Sequence, residues 1–170
     1  AFQKSLRDDP QFYLSMIEQS YIYEEMGSVK EAIHFTKEAV LLNNINLEYH
    51  KRLAFLYIAS GNIEESVACI KMVVDFEPSR FYNWYAYSEV LMVTGDYEGA
   101  VEALKKATKM HNRAELFYQL SNCYFHLNNQ KDGRKALAVA LELDPNLLEG
   151  MKQKYPFIKE EAEKVKTKKK

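Results

Sequence analysis

The chain has 170 residues, 47% hydrophobic and 28% charged, which is ordinary globular usage and enough length to bury roughly 70% of the surface the unfolded chain exposes. The last 20 residues carry eight Lys against three Glu, a surplus of five, so with −1 overall the body before them stands at −6. An acidic body is not a nucleic-acid surface, no apolar run is long enough to span a bilayer, and the start lacks the charged-then-apolar pattern of a secretory leader, so the expectation is a cytoplasmic setting.

Residues 1–12 read as the trailing helix of a preceding repeat unit, with Phe2, Ser5 and Pro10 in its register. From residue 13 one order of residue types returns every 34 or 33 residues, in copies spanning 13–46, 47–80, 81–113 and 114–147. The first copy runs Ser20, Tyr23, a Gly27-Ser28 turn, Ala32 and Ala39, and closes at Asn44. The second runs Ala54, Tyr57, Gly61-Asn62, Ser66 and Val73, and closes at Pro78. The third has Ser88, Leu91, Gly95-Asp96, Ala100 and Ala107, and the fourth Ser121, Tyr124, Asn128-Asn129, Gly133, Ala140 and Pro145. Residues 148–170 then place Leu148, Met151, Tyr155, Ile158, Ala162 and Val165 at helical spacing, as a C-terminal cap with a basic tail. Pro156 divides that cap into a helix ending near Tyr155 and a second one starting at the proline.

A fixed period of this length marks a unit that cannot bury its apolar face alone and stacks on its neighbours. Each unit reads as a helical hairpin. Gly, or once Asn, supplies the left-handed cap of the first helix, and Ser, Asn or Asp opens the second. Ser28 with Glu31 and Asn62 with Glu65 have capping-box spacing. The small residues at the crossings let helix backbones approach.

This pattern resembles the tetratricopeptide repeat, whose consensus is W-x2-L-G-x2-Y, then A-x3-F, then P. The third copy places Trp84, Tyr87, Ser88, Leu91, Ala100, Leu104 and Ala107 in those slots, and the fourth Phe117, Leu120, Ser121, Tyr124, Gly133, Leu137, Ala140 and Pro145. The first departs most, with Met16, Gln19 and Thr36 for Trp, Leu and Phe, and its hairpin is expected to pack least regularly. The resemblance implies an all-α fold, a right-handed superhelical solenoid of antiparallel helix hairpins with a C-terminal capping helix.

Catalytic chemistry has no visible seat. His34, His50, His111 and His126 are scattered without metal-ligand spacing, and no phosphate-binding glycine loop or nucleophile elbow occurs. Adjacent carboxylates such as Glu64-Glu65 point to different sides of a helix. Cys69 and Cys123 are 54 residues apart with no C-x2-C partner and read as buried free thiols. The expectation is a non-enzyme without cofactor or metal.

Function is then expected on the inner face. Tetratricopeptide arrays line a concave groove with the first helix of each hairpin, and by that resemblance the strip comprises Tyr21, then Lys51, Arg52 and Phe55, then Tyr82, Tyr85, Glu89 and Met92, then Tyr118, Asn122 and Phe125. Leu14, Ile17, Glu24, Glu48 and Glu115 flank it. Tyr85, Tyr118 and Phe55 are the leading contact residues, because aromatic rings offer large area at small rotamer cost. Lys51 and Arg52 suit an acidic group on the same partner. The expected partner is a protein, bound through a peptide or helix that is apolar with some acidic character, and neither nucleic acid nor a membrane span is expected. Capture of an acidic chain terminus, as in the chaperone-tail-binding members of the family, is disfavoured. The Lys-then-Asn pair it needs is replaced by Ile17 with Tyr21, Lys51 with Phe55, Tyr85 with Glu89, and Tyr118 with Asn122. The alternatives are a self-assembling homo-oligomer that stacks end to end, and the recruitment arm of a larger enzyme.

Overall fold

The structure, a computed structural model, describes residues 10–167. Within that range the chain is helical throughout and has no strand. Helices α1 (Pro10–Glu25), α2 (Val29–Leu42), α3 (Leu47–Ala59) and α4 (Ile63–Phe76) are followed by α5 (Phe81–Thr94), α6 (Tyr97–Met110), α7 (Ala114–His126) and α8 (Gln130–Leu143). A short 3-10 turn, Pro145–Leu147, leads into α9 (Leu148–Lys154) and α10 (Pro156–Thr167). Consecutive helices pack as hairpins, α1 with α2, α3 with α4, α5 with α6 and α7 with α8. The trailing helix expected over residues 1–12 lies largely outside the described residues, and residues 10–12 form the start of α1.

Every hairpin turns through one residue in the left-handed region: Gly27, Gly61 and Gly95 at φ 76°, 80° and 83°, and Asn128 at φ 57°. Glycine meets that requirement without a Cβ clash, and asparagine is the side chain that tolerates it best. Asp96 then caps α6 by accepting from the Gly99 amide at 2.8 Å, and Asn129 caps α8 by accepting from the Asp132 amide at 3.2 Å. Ser28 departs from expectation. It opens α2 without a side-chain cap bond, although its backbone is close to that of Asp96 and Asn129, which do cap.

The chain forms two compact units, residues 1–76 and 77–170. In the first, the small residues at the crossings also satisfy one another. Ser20 and Thr36 share a buried 2.7 Å hydrogen bond, and the Ser66 hydroxyl donates to the Ala54 carbonyl at 2.8 Å. Thr36, where the repeat consensus has an aromatic, thus converts an apolar crossing into a polar one. In the second unit the Ser121 hydroxyl donates to the Gly133 carbonyl at 2.9 Å, and a Cβ on Gly133 would come within 2.5 Å of the Phe125 ring. Glycine there sets the closeness of α7 and α8. The Trp84 indole donates to the Pro78 carbonyl at 2.7 Å and carries Lys106 over its face.

The cap completes the second unit. α9 stops at Tyr155, and Pro156 opens α10, which packs on both α7 and α8. Tyr155, Ile158, Ala162 and Val165 enter one apolar cluster with Tyr118, Phe125 and Leu137. The buried Glu161 carboxylate is held by Arg134 of α8 and by Lys164. Both cysteines are free thiols. Cys123 is fully buried, whereas Cys69 is only half-buried. No helix among the described residues is long and apolar enough to cross a membrane.

Candidate partner-binding groove

In the first unit, α1 and α3 enclose an open concavity of about 340 Å³ whose lining includes Ile17, Tyr21, Lys51, Arg52 and Phe55. Four of the residues expected on the inner strip therefore come together here. Tyr21 and Phe55 are 52% and 42% exposed. Between them the Arg52 guanidinium lies flat on the Tyr21 ring, 3.5 Å from its centroid, and its Nε donates to Ser20 at 3.0 Å. Planarity and delocalisation suit arginine to this stacked, half-desolvated position.

The charges of this groove are paired but unequally buried. Arg52 Nη2 lies 2.9 Å from Glu24 Oε2, and Lys51 is paired with Glu48, yet the cations are 11% and 13% exposed against 47% and 66% for the carboxylates. The contact of Nη2 with Glu24 is an ion-pair distance without hydrogen-bond alignment, so this buried N–H has no protein acceptor. Desolvated charges interact more strongly than exposed ones, which water and salt screen. Glu24 and Glu48 line the same concavity, so two cations and two carboxylates meet there, with the cations lying deeper.

The second unit treats the remaining expected residues differently. Tyr118 and Phe125 are 0% and 1% exposed and Asn122 is 4% exposed, which corrects their placement on an open surface. The reason is the cap. Its apolar residues share one cluster with Tyr118 and Phe125, whose rings become core. The Tyr118 hydroxyl donates to the Asp144 carbonyl at 3.3 Å, and burial followed by the Asp144 charge pushes its pKa up to about 12. The Asn122 amide nitrogen reaches only the Met92 sulfur at 4.0 Å, while its buried oxygen has no hydrogen-bond partner.

Tyr85 and Glu89 are half-buried and face the cap's Lys154-Tyr155 pair. Lys154 Nζ donates to Glu89 Oε1 at 2.9 Å, and Gln119 donates to the same oxygen at 3.3 Å while accepting from Ser88 at 3.1 Å. Burial and the Glu89 charge push the Tyr85 phenol up to about 12. Burial alone would lower the Lys154 pKa, but the Glu89 hydrogen bond outweighs it and the net shift is upward. The Tyr155 ring is buried, with its hydroxyl near Gln119 and Lys154 but aligned for a hydrogen bond with neither. Tyr82 is 57% exposed, its ring against Phe81 at a centroid distance of 4.1 Å. Sequence reasoning missed that the cap's own Lys154 and Tyr155 would occupy this face. The signal was present, since Tyr155 is one of the apolar residues at helical spacing and a cap must cover something.

Helical hairpins joined through left-handed turns, with small residues at their crossings, are the architecture of a repeat scaffold. Residues 82–111 and 114–147 each match the family model described as Tetratricopeptide repeat, so this part of the chain carries two tetratricopeptide repeats. It is 24% identical over 118 residues to General transcription factor 3C polypeptide 3 of Homo sapiens, an overlap of 68% of this chain and 13% of that protein. A TPR repeat-containing protein of Methanocaldococcus jannaschii is 23% identical over 141 residues, 77% of this chain and 25% of the relative. The chain thus spans a quarter or less of the length of these curated relatives. Among solved structures, MamA from Desulfovibrio magneticus RS-1, residues 41 to the end, superposes with a TM-score of 0.72 at 21% identity, covering 91% of this chain and 88% of that one. What is shared there is the fold, which is one consistent with a protein-interaction scaffold.

Proposed function

We propose that the chain is a protein-binding scaffold and that the groove between α1 and α3 takes a peptide or helical segment of a partner. The carrying observation is the pairing of two exposed aromatic rings, Tyr21 and Phe55, with a partly buried arginine in one concavity. Aromatic anchors beside arginine are the composition of binding hot spots, and exposed apolar residues gathered around a concavity are more informative than the same residues scattered. The scaffold acts by binding rather than by catalysis.

The test is affinity capture from lysate of the source cell, comparing the native chain with a Tyr21→Ala, Phe55→Ala variant of equal helicity by circular dichroism. A protein retained by the native chain and lost by the variant supports the groove. Retention of the same proteins by both sinks it.

A further inference from the structure

The charges of the first unit are sorted by depth. Lys51 and Arg52 lie inside the groove and each already faces a carboxylate, so the acidic partner group that these two cations suggest in the sequence is supplied by the chain itself. Glu24 and Glu48 stand farther out, at about half and two-thirds exposure. A carboxylate has about four acceptor sites, and one ion pair leaves most of them open. A segment entering the groove therefore meets carboxylates at the rim and the Tyr21 and Phe55 rings between them. The surroundings have the same sign. Glu18 and Glu25 of α1 are exposed, and residues 1–76 carry eleven Asp and Glu against seven Lys and Arg, a net of −4.

The second unit contains such a contact within the chain. There the cap lays Lys154 on Glu89, Nζ donating to Oε1 at 2.9 Å, and buries the adjoining Tyr155 ring in the apolar cluster. A cation next to a ring is thus a combination that a first-helix face with a carboxylate holds. Resting on the groove reading, we propose that the first unit receives a partner segment in which a lysine or arginine adjoins an aromatic residue. The cation donates to a rim carboxylate, Glu24 or Glu48, and the ring settles against Ile17 and Phe55. The pairs with Arg52 and Lys51 stay intact, because the incoming cation uses acceptor sites that they leave open. An acidic segment meets like charge at the rim and is rejected. The cap of a second copy is not the occupant, since its Lys154 is bonded and its Tyr155 buried within its own unit.

Three labelled peptides with the chain's own sequence are titrated by fluorescence polarisation against the full chain. They are residues 148–160, which hold Lys154-Tyr155, the same 13 residues with Lys154→Glu, and residues 161–170, which are more basic but have no ring. The native 148–160 peptide is expected to bind about fivefold tighter than its glutamate variant, the modest ratio that partly exposed charges allow. The preference shrinks as salt rises from about 10 mM to about 1 M. Glu24→Gln with Glu48→Gln, at unchanged helicity, erases it. Glu48→Gln by itself reduces it, and so guards against a double variant that fails to fold. Phe55→Ser weakens both 148–160 peptides. Equal binding, a glutamate preference, or a lysine preference that outlasts the glutamine pair overturns the basic-aromatic assignment. So does a 161–170 peptide that binds as tightly as the native 148–160 peptide, which would make the lysine tail of another copy the occupant. If Phe55→Ser still weakens both 148–160 peptides in any of these cases, the groove reading survives alone. If neither 148–160 peptide binds, or Phe55→Ser changes nothing, both readings fall.

Discussion

Two in-register faces of this chain have opposite relations to solvent. Tyr21 and Phe55 stand open beside Arg52, whereas Glu89 and Asn122, their counterparts, are respectively paired with Lys154 and buried. Both carry a serine contact at the base, though Ser20 accepts from Arg52 whereas Ser88 donates to Gln119. What differs is whether the chain supplies a segment to lie on the face. An aromatic residue on the inner side of a first helix is thus an interior residue or a surface one according to the segment that comes after the last hairpin, and its own repeat does not decide which.

The largest test of that contrast replaces an aromatic on each face. Tyr118→Ala removes a fully buried ring and is expected to cost about 3–5 kcal/mol in urea or guanidinium unfolding, while Phe55→Ala stays within about 1 kcal/mol. Similar costs at the two sites would break the comparison. Next, Gly133→Ala forces a methyl against the Phe125 ring and should cost about 1–3 kcal/mol, because α7 and α8 must separate beneath the cap. An unchanged midpoint would show that the ring moves aside freely.

Lys154→Ala removes a partly exposed ion pair and is expected to cost up to about 1 kcal/mol, read most clearly as faster amide exchange in α9 and α10. Protection that stays at the native level would mean the apolar cluster alone holds the cap. The smallest effect is pH-linked. Arg134, and after it Lys164, hold the Glu161 carboxyl below the ordinary glutamate value of 4.5 despite its burial. A depressed folded-state pKa means the unfolded state binds the proton more readily, so this stabilisation is complete above about pH 4.5 and is lost as pH falls through the folded value. Thermal unfolding followed from pH 6 to 3 should show that loss in the native chain and a shallower slope in Glu161→Gln.

Much of the fold was legible in the residues because the local rules agree with one another. Gly27, Gly61, Gly95 and Asn128 mark the turns through backbone sterics alone, and Pro156 divides the cap because proline cannot donate an amide inside a helix. Ser28 makes no side-chain cap bond although its φ and ψ match those of Asp96 and Asn129, so neither residue type nor backbone geometry alone decides the cap. Of the site, Tyr21, Lys51, Arg52 and Phe55 were readable from helical spacing and do share one concavity. Tyr118, Asn122 and Phe125 have the same spacing, and periodicity cannot tell which faces a later segment will cover. The Glu48–Lys51 pair follows from i,i+3 spacing within α3, whereas sequence could not show that Glu24 reaches Arg52, since α1 and α3 meet only in the folded unit.

The placement of the two cysteines gives the second unit a natural probe and the first a reference thiol. Burial raises the pKa of both thiols, that of Cys123 to about 12, and only Cys69 keeps part of its surface in solvent. A thiolate-seeking reagent should therefore modify Cys69 first and reach Cys123 only when the hairpin beneath the cap opens. Alkylation timed by mass spectrometry then reports the opening of the second unit, with Cys69 as the internal reference and without any introduced label.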